Sequence, residues 1–331
     1  MAHNSKSAAE GAPASIPRSQ RRPSAADGVV IIDKPAGWTS HDVVSKMRGI
    51  AATRKVGHAG TLDPMATGVL VVGIGKATRL LNYIVGADKD YDATIRLGYA
   101  TTTEDAEGEV TDVAAPQHLE RVEFESAAAQ LTGDLMQVPS SVSAIKVDGK
   151  RAYDRVRAGE DVQLAARPVR VEKFDIIDYR AQSTDVGEVI DVDVRVSVSS
   201  GTYVRALGRD FARLLGTHGH LTRLRRTRVG GYGLDQARSL EQLAAELENS
   251  ETISVLPLAG AAAATFAVRS ISATEAIDLG CGKRLRSAVQ GSGSAEHPVT
   301  MAAIDPAGEL IALLQDNGMR AQPTVVFAPR Q

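Results

Sequence analysis

Residues 188–198 read EVIDVDVRVSV, and the fold class follows from this stretch and the turn after it. Val192, Val194, Val196 and Val198 alternate with Asp193, Arg195 and Ser197, the period of two that predicts a half-buried strand. After Ser200-Gly201 the period changes, and Val204, Leu207, Phe211, Leu214 and Leu215 fall on one helical stripe. Working outward, strands are predicted at 29–32, 69–74, 90–97, 168–178 and about 221–229, and helices at about 40–50 and 76–85. Thr39 or Ser40 is the cap of the first helix. Strands interleaved with helices, many of them alternating, predict an α+β fold with a mixed, largely antiparallel central sheet flanked by helices.

The chain has 331 residues, enough for about two domains at roughly 150 residues each. From Pro257 the composition shifts to Ala, Gly and Ser, with short strands predicted near 301–304, 310–314 and 324–327. A boundary is expected near 255, separating a main domain, 28–254, from a small β-rich C-terminal domain, 255–331. Residues 1–27 are rich in Ala, Ser, Pro and Arg and hold no aromatic residue. They cannot bury enough surface to offset ordering entropy, so a disordered tail is expected, with Arg18, Arg21 and Arg22 free to brush an anion.

A single cysteine, Cys281, excludes a disulfide framework and every multi-cysteine zinc or iron–sulfur site, and points to a reducing compartment. No run approaches the ~20 apolar residues of a membrane helix, and no signal peptide is visible, so a cytoplasmic protein is expected. Lys and Arg total 38 against 40 Asp and Glu, a formal net charge of -2. That average hides a segregation. Residues 104–125 carry Glu104, Asp105, Glu107, Glu109, Asp112, Glu120, Glu123 and Glu125 against Arg121 alone. They read as a solvated loop and helix face turned away from any polyanion. Residues 203–230 carry seven arginines and one acid, Asp210. Arg205, Arg209 and Arg213 repeat every four residues along one helix face, and Arg223, Arg225, Arg226 and Arg228 follow on the next strand. This basic face points to phosphate contact.

Familiar catalytic signatures are absent. Around Gly75-Lys76 a phosphate-binding loop would need glycine at 70 and Ser or Thr at 77, where the chain has Leu70 and Ala77. The seven histidines have no zinc-ligand spacing, and no G-x-S-x-G elbow exists. The segment that stands out is 57–68, GHAGTLDPMATG. Its three glycines allow tight backbone and close ligand approach. On spacing alone, Asp63 before Pro64 also fits a turn aspartate bonding its own backbone.

The blocks 29–40 (VVIIDKPAGWTS) and 55–64 (KVGHAGTLDP) resemble the opening of the TruB family, bacterial tRNA pseudouridine synthases that act on uridine 55 of the TΨC arm. The resemblance continues through Lys89-Asp90-Tyr91, Gln137-Val138-Pro139, Ser143 to Lys146, 200–205 (SGTYVR) and 220–226 (HLTRLRR). It implies a pseudouridine-synthase fold with a PUA-like C-terminal domain, tRNA as partner, and a monomer without obligate protein partner. It implies Asp63 as the catalytic aspartate, Tyr91 as the ring that stacks on the target base, and Arg205 as the arginine paired with the aspartate. Tyr203 would lie beside that pair, His58 would help hold the flipped-out loop, and Leu224 would be an apolar wall of the pocket. Arg79, Lys146, Lys150, Arg151, Arg209, Arg223, Arg225 and Arg226 are the candidate RNA contacts. Residues 134–162 would clamp the stem-loop, with Arg155 and Arg157 also facing phosphates. There the chain departs from the family, with Ser140 and Val142 where relatives often have Pro and Tyr. In the C-terminal domain Lys283, Arg284, Arg286 and Arg320 would face the acceptor stem, and Cys281 has no role.

The chemistry fits these residue types. Pseudouridine formation breaks the C1′–N1 bond, turns the uracil and rejoins it through C5, with no redox step and hence no cofactor or metal expected. A carboxylate serves as nucleophile or as base, and must be ionised for either, which a neighbouring arginine favours. Extruding the base costs a few kcal/mol, and stacking on one ring returns roughly 1–3 kcal/mol. A tRNA-binding or folding module is the alternative, using the same arginines without needing Asp63.

Overall fold

Residues 28–34, GVVIIDK, form a strand buried along both faces, which places it at the centre of a layered structure. The computed structural model describes residues 22–116, 118–140, 146–147, 150–151, 164–288 and 297–327. The strands are β1 (Gly28–Lys34), β2 (Val56–Ala59), β3 (Thr67–Ile74), β4 (Lys89–Leu97), β5 (Tyr99–Thr101), β6 (Val110–Val113), β7 (Gly133–Gln137), β8 (Lys146–Val147), β9 (Lys150–Arg151), β10 (Arg167–Thr184), β11 (Gly187–Val198), β12 (Gly219–Val229), β13 (Tyr232–Gly233), β14 (Leu256–Pro257), β15 (Ala267–Ser270), β16 (Leu285–Arg286), β17 (Val299–Ile304), β18 (Leu310–Asp316) and β19 (Arg320–Val326). The helices are α1 (Ser40–Ile50), α2 (Leu81–Ile84), α3 (Arg121–Gln130), α4 (Val204–Leu214), α5 (Leu240–Asn249), α6 (Leu258–Ala263) and α7 (Ala273–Gly280).

A ten-stranded sheet runs β14-β1-β3-β12-β4-β11-β10-β7, with β2 on β3 and β13 on β12. Its pairs are antiparallel except β3–β12, where Thr67 and Gly68 lie beside Arg225 and Arg226 in parallel. The alternation at 188–198 gives β11, which pairs with β4 from Lys89 to Leu97. Successive residues of β1 face opposite sides. Val30 and Ile32 join one core with Val43 and Met47 of α1, Phe124 of α3, Phe211 of α4 and Leu243 of α5. Val29 and Ile31 join a second core with Leu80, Ile84, Ala302, Leu313 and Phe327. The C-terminal five-stranded sheet, β15-β17-β18-β19-β16, therefore closes the face opposite α1, α3, α4 and α5. The α+β class with a largely antiparallel central sheet is what the alternation predicts, and the β-rich C-terminal domain follows the short strands expected beyond Pro257.

Several expectations change. Residues 22–27 lie against the main domain: Arg22 donates to the Gly49 and Ile50 carbonyls at the end of α1. Ala25 donates to Ala51 O, and Asp27 accepts from Lys76 N. A cation on the last carbonyls of a helix complements its dipole, so Arg22 has a partner without any ligand. The expected helix at 76–85 is a 3₁₀ turn, Gly75–Arg79, followed by the single turn of α2. Gly75 enters with φ +61, and the broken path buries Ala77, Leu80, Leu81 and Ile84 together. The boundary expected near 255 falls ahead of β14, which still pairs with β1; the second sheet starts at Ala267. Thr39 caps α1, its hydroxyl and the Asp42 carboxylate forming a reciprocal box.

Gly68 marks the tightest backbone approach beneath the site. Its φ is +97, and a Cβ there would lie 2.1 Å from the Arg226 carbonyl oxygen. Gly68→Ala is expected to cost more than about 2 kcal/mol, because the chain must either strain or part β3 from β12. Chemical denaturation measures this, and a variant as stable as the parent would contradict the packing.

Candidate active site

The segment 60–66 connects β2 to β3 and has little secondary structure of its own. Three buried groups hold it. Arg226, 1% exposed, donates from Nε to Val69 O at 2.7 Å, from Nη2 to Gly60 O at 3.1 Å and from Nη1 to Thr61 O at 3.4 Å. Lys34, fully buried, donates from Nζ to Trp38 O at 2.6 Å, Pro35 O at 2.9 Å and Pro64 O at 3.1 Å. Ser40 Oγ accepts from Leu62 N at 2.9 Å and donates to Leu62 O at 3.2 Å. Burying a cation costs several kcal/mol unless its donors are met. Here carbonyls meet them, so charge desolvation is spent on fixing one loop.

Asp63 projects from this loop toward α4. Arg205 Nε lies 3.0 Å from Asp63 Oδ2, and Nη2 donates to Oδ1 at 3.4 Å. Arg205 Nη1 donates to Thr103 O at 2.8 Å and lies 3.4 Å from Asp105 Oδ2. The Arg205 side chain is 7% exposed and Asp105 3%, whereas Asp63 is 35% exposed. The guanidinium thus links an inner carboxylate to an outer one. Tyr203 is the N-cap of α4, two residues ahead of Arg205, and Gln137 clamps its backbone through both amide atoms.

Tyr91 and Leu224 stand on the adjoining strands β4 and β12 and share the helix-side core. Tyr91 lies directly across from Arg226. His58 lies on β2, in edge contact with His41 at 5.6 Å between ring centroids. Burial, then the neighbouring His41, lowers its pKa and favours the neutral ring.

The basic face expected at 203–228 is largely consumed inside the protein. Arg209 is held by Glu104 at 2.7 Å, Asp210 at 2.9 Å and Val138 O at 2.8 Å. Arg225 grips Asp33 with two nitrogens, at 2.8 and 3.1 Å, and Arg228 grips Asp90 at 2.6 Å. Arg213 lies 3.6 Å from Asp210. Arg226 is the loop anchor, while Arg223 is exposed. Arg79 donates to Val326 O at 2.7 Å and stacks over Phe327 at 4.7 Å, joining the main domain to the C-terminal sheet. Lys146, Lys150 and Arg151 lie on β8 and β9, and Arg155 and Arg157 fall outside the described residues. The acidic stretch 104–125 is likewise not all solvated, since Glu104 and Asp105 point inward to these arginines. Sequence spacing missed them because their partners lie about 100 residues away, and it missed Lys34 because its burial depends on the loop at 60–66, 30 residues on.

Lys34 carries a measurable signature. Burial lowers its pKa from 10.5 to about 8, partly countered by the charge of Asp63. Between those values the unfolded chain holds more protons, so Lys34 weakens the fold below pH 8 and this penalty is relieved as pH rises. Relative to Lys34→Met, the parent is expected to gain up to about 1.4 kcal/mol per pH unit between pH 8 and 10. Denaturant melts across that range test it, and a pH-independent gap would contradict it.

Comparison with known proteins agrees with this architecture. Residues 48–204 match the TruB family pseudouridylate synthase N-terminal domain, 205–258 the tRNA pseudouridylate synthase B C-terminal domain, and 266–328 the tRNA pseudouridine synthase II C-terminal domain. The tRNA pseudouridine synthase B of Arthrobacter sp. (strain FB24) is 57% identical over 305 residues, covering 91% of this chain and 97% of the relative. That of Thermobifida fusca (strain YX) is 52% identical, covering 92% and 99%. Among solved structures, a chain from a Cbf5–Nop10–Gar1 complex superposes with a TM-score of 0.70 at 24% identity, over 92% of this chain and 85% of that one, a likeness of fold. Among the described residues no helix is long and apolar enough to cross a membrane. With 57% identity over nine-tenths of its length, the chain belongs to the TruB family of pseudouridylate synthases.

Proposed function

We propose that this chain isomerises uridine-55 of the TΨC loop of tRNA to pseudouridine, with Asp63 as the essential carboxylate. Family membership supports an isomerase acting on tRNA. The observation that carries the rest is the asymmetry of the ion pair: Arg205 is 7% exposed and Asp63 is 35% exposed. A carboxylate anchored from behind by a buried cation is fixed in direction and keeps lone pairs for a sugar arriving from the open side. The C1′–N1 bond breaks, C1′ bonds to C5, the C5 hydrogen leaves to water and N1 takes a proton. Asp63 acts either by attack at the sugar carbon or by removing a sugar proton, and both routes need the same charge and placement.

A uridine inside a folded loop has to leave its stack to reach this carboxylate. Tyr91 and Leu224, on adjoining strands and two residues apart in register, are the wall on which the base comes to rest, and Tyr203 borders the pair. Arg223 and the basic residues of β8 and β9 are the phosphate contacts in this reading. The chemistry is redox-neutral and calls for no cofactor, and the reading includes a cytoplasmic monomer.

Asp63→Asn keeps the shape of the side chain and removes its charge. It is expected to bind a tRNA transcript within about threefold of the parent and to lose at least about 10³-fold in pseudouridine formation. Tritium release from C5-labelled uridine reads turnover directly. Substantial release by the variant would sink the assignment and favour a non-catalytic tRNA-binding module.

A further inference from the structure

We propose that Glu104 and Arg209 are positioning residues for the Asp63–Arg205 pair. The inference rests on reading Asp63 as the essential carboxylate. Among the described residues only Glu104 and Ala52 combine a side chain with a positive φ, and Glu104 has φ 60. That conformation is sparsely populated for a residue with a Cβ, and it persists only where surroundings impose it. Ala52 follows the end of α1, where such a turn is ordinary. Glu104 instead sits between the two groups that Arg205 holds, the Thr103 carbonyl and the Asp105 carboxylate. Along an extended strand the side chains of neighbouring residues face opposite ways. The left-handed turn at Glu104 lets the Thr103 carbonyl and the Asp105 carboxylate converge on one guanidinium.

The Glu104 side chain is held from the same helix. Arg205 and Arg209 are four residues apart on α4, so both reach the 103–105 turn from one face. Arg205 takes residues 103 and 105, and Arg209 takes residue 104 at 2.7 Å. Two features argue that this contact is not there for stability alone. Arg209 already has Asp210 on Nε and Nη2, so Glu104 is not needed to neutralise it. Glu104 Oε2 is buried without a hydrogen-bond partner, a cost that a purely stabilising pair would avoid. Leu221 N donates to Glu104 O at 3.1 Å and pins the turn to β12, the strand that also carries Arg226. The pair therefore fixes the direction from which Asp105 and Thr103 hold Arg205, and through Arg205 the placement of Asp63.

The experiment measures single-turnover tritium release at saturating tRNA transcript, together with transcript affinity by filter binding, for the parent, Glu104→Gln, Arg209→Lys, the double variant and Asp63→Asn. A misplaced reacting group costs on the order of 10- to 100-fold. Glu104→Gln and Arg209→Lys are expected to slow release by that factor with affinity changed less than about threefold, and the double variant to be no slower than the slower single. Unchanged release, or a loss confined to affinity, overturns the proposal; the latter makes Arg209 a phosphate contact. Asp63→Asn separates the two levels. If it turns over, the reading of Asp63 fails; if it is inert while Glu104→Gln runs at the parent rate, only the positioning role fails. Should Glu104→Gln melt early, Glu104→Gly accepts the positive φ and removes the carboxylate. It is expected to fold and show the same slow release, and a parent-like rate would overturn the proposal.

Discussion

The structure depends on a buried guanidinium whose hydrogen-bond partners, among the described residues, are backbone carbonyls and no carboxylate. Arg226 lies inside the sheet and binds the carbonyls of Gly60, Thr61 and Val69. Its backbone runs beside Gly68, where no side chain could fit. Charge–dipole contacts of this kind are directional, and each carbonyl left bare in the interior would cost about 1–3 kcal/mol. The loop carrying Asp63 therefore has a single low-energy path, which Lys34 and Ser40 fix from the other side. Asp63 meets Arg205 because the loop beneath it is held from both sides.

A second layer of charge sits on this frame. Arg205 joins Asp63 to the buried Asp105, and Arg209 joins Glu104 to Asp210. Such pairs contribute little net stability after desolvation. What they supply is geometry: a fixed cation behind a half-buried carboxylate. That arrangement suits a redox-neutral isomerisation, in which positioning and electrostatics supply most of the rate.

The large sheet was readable from alternation at 188–198, because one face of β11 is buried and the other is not. The loop 57–68 announced itself through its glycines. The same reading failed at 76–85, where apolar spacing suited a helix but Gly75 and tertiary burial produced two short turns. It also weighed the arginines of 203–228 against a single acid, Asp210, and did not see the carboxylates that most of them meet. Local composition counts charges along the chain, whereas their partners, Asp33, Asp63, Asp90, Glu104 and Asp105, come from strands and loops about 100 to 190 residues away. Lys34 read as part of a turn because its burial depends on how the loop at 60–66, some 30 residues on, folds over it.

The most direct measurement is hydrogen exchange of the backbone amides at 60–66 in the parent and in Arg226→Met. Leu62 N and Ala66 N are hydrogen-bonded in the folded chain. The account predicts slow exchange at both in the parent, a rise of at least about tenfold in the variant, and unchanged protection in β10 and β11. Equal protection of the loop in both proteins would contradict the claim that the buried arginine sets the position of Asp63.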